Sequence, residues 1–141
     1  MISLLNGIES TSSALTAEKI RMEVVSNNLA NVNTRGADGQ PFQRKQVVFE
    51  SVLKQAEASG GMNIPTLQVA RIETDQRPPI MIHEPGHPDA DPKTGMRAMP
   101  NINVYEEMAD YMISSRAYEA NLSVIKTARS LAMQTLSIGK R

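Results

Sequence analysis

The 141-residue chain contains no cysteine and no tryptophan, and aromatic residues make up only 4% of it. Without thiols there is no disulfide framework, thiolate zinc site or cysteine nucleophile, and the chain is compatible with either redox compartment. Without large aromatic anchors, the 40% of apolar residues must build a core from Leu, Ile, Val, Met and Ala. An excess of charge is also lacking, because 15 Lys and Arg balance 15 Asp and Glu. No cationic field draws the chain onto nucleic acid or acidic lipid. No run approaches the roughly 20 apolar residues of a membrane span. Residues 1–7 include Ile2, Leu4 and Leu5 but no basic flank and no small-residue cleavage site, so they do not form a secretory leader. On that test alone, a cytoplasmic location is expected.

Helix breakers are missing from both ends of the chain. All eight prolines, and six of the eight glycines, lie between Gly36 and Pro100, which leaves the termini free to form long helices. Three parts are expected: a helical arm over 1–33, a Pro/Gly-rich β or irregular segment over 34–102, and a second helical arm over 103–141. The expected fold is mainly α with a small β insertion, in which antiparallel, coiled-coil-like helices flank an irregular or β-hairpin middle.

In the first arm Ile8, Leu15, Met22 and Leu29 recur every seven residues, with Leu4, Val25 and Val32 on the partner position, a heptad seam interrupted by Thr11 and Glu18. Gly7 softens the first turn. Asn27, Asn28, Asn31 and Asn33, then Thr34, Arg35 and Gly36, are turn formers that end the arm. In the second arm Asn103 and Glu106 have the spacing of a capping box that opens a helix at Val104. Val104, Tyr111, Tyr118, Ile125 and Ala132 then keep a seven-residue period, with Met108, Leu122 and Leu136 on the partner position and Ser115 and Arg129 interrupting. Lys140 and Arg141 suit the negative end of the helix dipole. The arms would be roughly 45 and 55 Å long.

Strands are expected over residues 42–49, around Leu67, Val69 and Arg71, and over 80–82, the last returning after a turn at 75–79. Residues 56–63, with Gly60 and Gly61, read as a flexible loop. Both arms also carry apolar residues off the seam, among them Leu5, Ile20, Val24, Met112, Ile113 and Met133. Either the middle segment folds back over them, or neighbouring chains cover them in an assembly that orders the arms. Repeated heterologous contacts of that kind make rings or tubes.

One string resembles an enzyme motif. His83-Glu84-Pro85-Gly86-His87 spells the H-E-x-x-H zinc signature with the only two histidines of the chain. That motif works on a helix, which places both imidazoles on one face. Pro85, Gly86 and the following Pro88 exclude such a helix, so the string marks a turn. A structural metal on His83, His87, Asp89 and Asp91 is the weaker remaining option. A calcium loop fails because Lys93 takes a ligand position, Thr94 replaces the glycine and Pro100 the bidentate glutamate. No phosphate-binding glycine loop and no G-x-S-x-G elbow is present. No enzyme, cofactor or metal is expected.

The residues also carry a family resemblance. Ser13, Ala14, Leu15 and Ala17, then Asn27, Asn28, Leu29, Ala30, Asn31, Val32, Asn33 and Thr34, resemble the N-terminal signature of flagellar rod, hook and related axial proteins. Residues 84–91, 100–104, 106–108 and 115–121 resemble the proximal-rod proteins of the flagellar basal body. The likeness spans nearly the whole chain. It departs at Ala14, where the family usually has glycine, and at His83, where it usually has an aromatic residue.

The resemblance implies a subunit of the rod, the drive shaft that crosses the periplasm and passes motor torque to the hook. It implies export through the flagellar type III apparatus without a cleaved signal peptide, which overrides the cytoplasmic expectation. Its implied partners are further copies of itself, other rod proteins and the basal-body adaptor FliE, with no nucleic acid and no membrane span. Terminal helices of such proteins pack into the inner layer of the tube. The expected assembly interface is therefore Ile8, Leu15, Met22, Val25 and Leu29, with Asn28 and Asn31 of the signature, and Val104, Met108, Tyr111, Tyr118, Leu122, Ile125 and Leu136. The alternative from another class is a free-standing binding module braced by a helical pair.

Overall fold

A computed structural model describes residues 2–36, 39–55 and 63–139. Helix α1 spans Ile2–Ala30, strand β1 Lys45–Gln55, β2 Asn63–Thr74, β3 Ile80–His83, β4 Met96–Met99, and helix α2 Val104–Ile138. The expected loop over 56–63 lies outside the described residues except for Asn63, which opens β2. The dipole pair Lys140 and Arg141 lies outside them too, as do the side chains of Leu4 and Leu5.

Both helices form where the chain is free of proline. The α1 helix stops at the asparagine cluster, where Asn31 Nδ2 donates to the Asn27 carbonyl at 2.8 Å and the Thr34 amide to the Asn31 carbonyl at 3.1 Å. With the Asn31 amide shared between the Asn27 and Asn28 carbonyls, these bonds close the helix in a tightened last turn. The start of α2 is capped by Asn103, whose Oδ1 accepts from the Tyr105 amide at 3.1 Å. Glu106 takes part differently from a capping box, accepting from Asn103 Nδ2 at 3.1 Å. With Glu107 it places two carboxylates in the first turn, where the helix dipole favours them.

The β1 and β2 strands pair antiparallel from Lys45↔Thr74 to Gln55↔Asn63, with a bulge that leaves Ala70 unpaired opposite Val48/Phe49. The first strand starts three residues later than expected. The preceding segment is held instead by a bridge between Arg35 and Pro41 and by the Phe42 amide, which donates to the Thr34 carbonyl.

The expectation that residues 80–82 return on the earlier strand needs correction, because β3 pairs with β4 in a separate hairpin. Pro78 and Pro79 have no N–H with which to extend the first sheet. Gly95, at φ +64°, makes the return to β4, and a Cβ there would stand 2.9 Å from His83 Cε1. This second hairpin is tied down by Arg35, which stands 3.5 Å from Asp89 and donates to the Ala98 carbonyl at 3.3 Å.

The layer order is β1–β2 hairpin, α1, α2. The hairpin packs along α1, and α1 packs along α2. The end of α1 meets the start of α2 at Asn28 and Glu107, so the helices run antiparallel. Ser10 Oγ donates to the Pro65 carbonyl at 2.8 Å, the Leu67 amide donates to Ser13 Oγ at 3.1 Å, and the Arg21 guanidinium lies over the Phe49 ring at 5.3 Å. The core is thin. Among the described residues only Ala17, Val24, Val25, Pro100 and Ile102 are buried apolar side chains. The accessible surface of 9732 Å² exceeds the roughly 7,200 Å² of a compact monomer of this mass.

Candidate assembly surface and the hub beneath it

At the end where the helices meet, the most buried side chains are polar. Asn28, Glu107 and Ser114 are fully enclosed. Asn28 binds the first residue of β1 at both backbone groups, Nδ2 donating to the Lys45 carbonyl at 2.8 Å and Oδ1 accepting from the Lys45 amide at 2.9 Å. The same Nδ2 donates to Glu107 Oε2 at 3.0 Å. Arg44 Nε donates to Glu107 Oε1 at 2.6 Å, and its other nitrogens stand 3.7 Å from Asp75 and 3.9 Å from Asp110. One guanidinium thus faces three carboxylates from the end of β2 and the start of α2, which fits its planar fork of donors. Hydrogen bonds from Arg77 to the Asp75 carboxylate, with added attraction from Arg77 and Arg44, hold the Asp75 pKa down at about 2.

Beyond the hub, the two faces of α2 differ in kind. The face towards α1 is traced by Val104, Glu107, Ser114, Tyr118, Asn121, Ile125, Ala128 and Ala132, all buried or half-buried. Their steps are of three and four residues, a heptad seam, except for one of seven across Tyr111, which is exposed. The seam's partner position is taken by Glu107, Ser114, Asn121 and Ala128, one residue before the position expected from Met108, Leu122 and Leu136. Small and polar side chains fill this second position, beside Val104, Tyr118 and Ile125 on the first.

Most of the other large apolar side chains of α2 point elsewhere. Tyr105, Met108 and Met112 form one exposed row at steps of three and four, and Ile113, Val124, Leu131 and Ile138 form another at steps of eleven and seven, all at least half exposed. A seven-residue step advances only about 20° around a helix, so each row is one flank of α2. Met133 and Leu136 add to the uncovered surface.

The expected interface residues divide accordingly. Val25 and Asn28 are buried within the chain, and Ile8, Leu15, Met22, Leu29, Asn31, Val104, Tyr118, Leu122 and Ile125 are half-buried. Met108, Tyr111 and Leu136 are exposed at 51%, 43% and 56%. Of the off-seam residues, Val24 is buried and Ile20 half-buried beneath the chain's own packing, whereas Met112, Ile113 and Met133 are open to solvent. The chain's own packing therefore covers the off-seam residues of α1 and leaves those of α2 open.

The sequence reading missed Arg44, Glu107 and Ser114. The only signal for the last two was the alternative three-then-four spacing from Val104, which their polarity hid. The zinc-like string takes the geometry that its prolines dictate, with His83 closing β3 and residues 85–87 in a turn. The two imidazoles therefore lack the shared helical face that the motif requires. His87 Nδ1 accepts from the Asp89 amide at 3.1 Å, a local turn contact. Among the described residues no helix is long and apolar enough to cross a membrane.

Comparison with known proteins bears on the same two helices. The sequence pattern of the family described as flagella basal body rod protein matches residues 8–37. The pattern described as flagellar basal body rod FlgEFG protein C-terminal matches residues 93–138. The flagellar basal-body rod protein FlgC of Escherichia coli O6:H1 is 41% identical over 140 residues, covering 99% of this chain and all of that protein. FlgC of Borreliella burgdorferi is 37% identical, over 96% of this chain and 97% of its own length. FlgC of Bacillus subtilis is 34% identical, over 92% and 94%.

Proposed function

From the premise that the chain belongs to the flagellar basal-body rod protein family, we propose that it is a structural subunit of the proximal rod that docks its neighbours on the outward face of α2. Membership implies a place in the flagellar basal body and assembly with other rod and basal-body proteins. The finer reading is that it sits in the periplasm, part of a drive shaft that carries torque from motor to hook. It arrives there through the type III apparatus with no cleaved leader. It meets further copies of itself, other rod subunits and the adaptor FliE, and it performs no catalysis.

One observation carries the docking surface. Small and polar side chains take the second position of the intrachain seam of α2, beside Val104, Tyr118 and Ile125, while Met108, Met112, Ile113, Val124, Leu131 and Ile138 face outward. A helix that served only to brace a binding module would turn its largest apolar groups inward, because each buried Leu or Ile contributes about 1.5–3 kcal/mol. Two apolar flanks on one helix accept two different neighbours, the heterologous arrangement that builds tubes and open helices.

The test is complementation of a strain that lacks its own copy of the gene. Ile113→Asp and Val124→Asp, at positions 59% and 53% exposed, are expected to leave the fold intact and to stop incorporation into rods. Normal rods containing either variant would refute the docking surface. The binding-module alternative predicts that incorporation is irrelevant and that the isolated chain resists limited proteolysis throughout.

A further inference from the structure

The root of the β1–β2 hairpin carries a network that docking on α2 does not require. Asn28 clasps Lys45 at both backbone groups, as a neighbouring strand would, and so fixes where β1 starts along α1. Glu107, from α2, accepts from Asn28 on one oxygen and from Arg44 on the other. A single enclosed carboxylate therefore holds α1 and the residue that leads into β1 at once. Elsewhere the hairpin lies on α1 rather than on α2. Farther along, its ties to α1 include single hydrogen bonds at Ser10 and Ser13 and the Arg21 guanidinium over Phe49.

A buried ion pair of this kind adds little stability over apolar groups of the same volume. Its directional bonds do fix orientation, because donor and acceptor must keep their distances and angles. Such a network is poorly explained as a device for stability and well explained as one for register.

We propose that Asn28, Arg44 and Glu107 form a mechanical joint, which locks the hairpin to both helices so that a load on the hairpin passes into α2 and not into α1 alone. The joint rests on the rod reading above, since only in a rod does α2 hand that load to a neighbour. The three residues are positioning residues and touch no partner themselves.

The test uses the complete chain in assembled basal bodies of the complemented strain. Arg44→Met/Glu107→Leu replaces both charges by apolar groups and leaves neither one stranded. Glu107→Gln keeps the shape and one acceptor. Both variants are expected to assemble rods and to swim at low viscosity, and both should lose speed relative to the native strain as viscosity rises, the double variant more. A Ser13→Cys/Leu67→Cys pair, in a chain with no other cysteine, reports how the hairpin is seated. Its disulfide yield in the double variant should fall about twofold or more as the hairpin moves more freely.

Native yield together with native speed at every viscosity would overturn the joint. So would loss of rods in both variants while the chain is still exported, because the trio would then serve folding or docking. If the native gene itself fails to restore rods, the rod reading fails instead.

Discussion

The two long helices differ most in what covers them. The α1 helix lies between the hairpin and α2, and none of its described side chains is an exposed large apolar group. The α2 helix has α1 on one side only, and ten of its large apolar side chains, from Tyr105 to Ile138, are exposed. The first behaves as the centre of a small domain, while the second carries the exposed apolar surface on which we propose that other chains dock. Contiguous exposed apolar surface of this kind marks protein–protein contact.

The contrast can be broken most strongly where the helices meet. Glu107→Ala leaves Arg44 and Asn28 without their shared acceptor, and chemical denaturation should show a loss of about 3–5 kcal/mol. A loss under about 1 kcal/mol would mean that water reaches the hub. Next comes a matched pair of truncations. Val25→Ala, on α1 at 5% exposure, should cost about 2 kcal/mol. Val124→Ala, on α2 at 53% exposure, should change the same measurement by less than about 0.5 kcal/mol. Equal costs at the two positions would erase the distinction between the helices.

The smallest effect concerns pH. The Asp75 pKa, held at about 2 against an ordinary 3.8, lies lower in the folded chain than in the unfolded one. Its contribution is therefore complete above pH 4 and is lost as the pH falls towards 2. Arg77 is more than half exposed, so the stabilisation is modest. Arg77→Ala should move the Asp75 titration, followed by carboxyl carbon chemical shift, back up towards 3.8. An unmoved titration would assign the depression to Arg44.

Much of the fold was legible in the residues. The confinement of proline to the middle of the chain placed both helices, and Asn103 placed the start of α2 at Val104, where it lies. Strand pairing was less legible. Period-two patterns locate strands but do not name their partners, and the short Met96–Met99 strand has no pattern long enough to see. The second seam position of α2 was misplaced for a physical reason. Met108, Leu122 and Leu136 are more apolar than Glu107, Ser114 and Asn121, and a lone hairpin would have chosen them. The chain keeps small and polar groups inside, where a hydrogen bond or a close helix approach can use them, and turns Met108 and Leu136 out. Arg44 gave no signal at all, since its role depends on three carboxylates brought from distant parts of the sequence.

The central claim is that the outward face of α2 serves other chains and not its own. The most direct measurement is the fate of Leu131→Asp, at a position 51% exposed on the long flank of α2. The purified variant should melt as the native chain does, within the roughly 0.5 kcal/mol expected of an exposed site, and it should be absent from basal bodies isolated from the complemented strain. Native-like rods containing the variant would contradict the account, and so would a variant that no longer folds on its own.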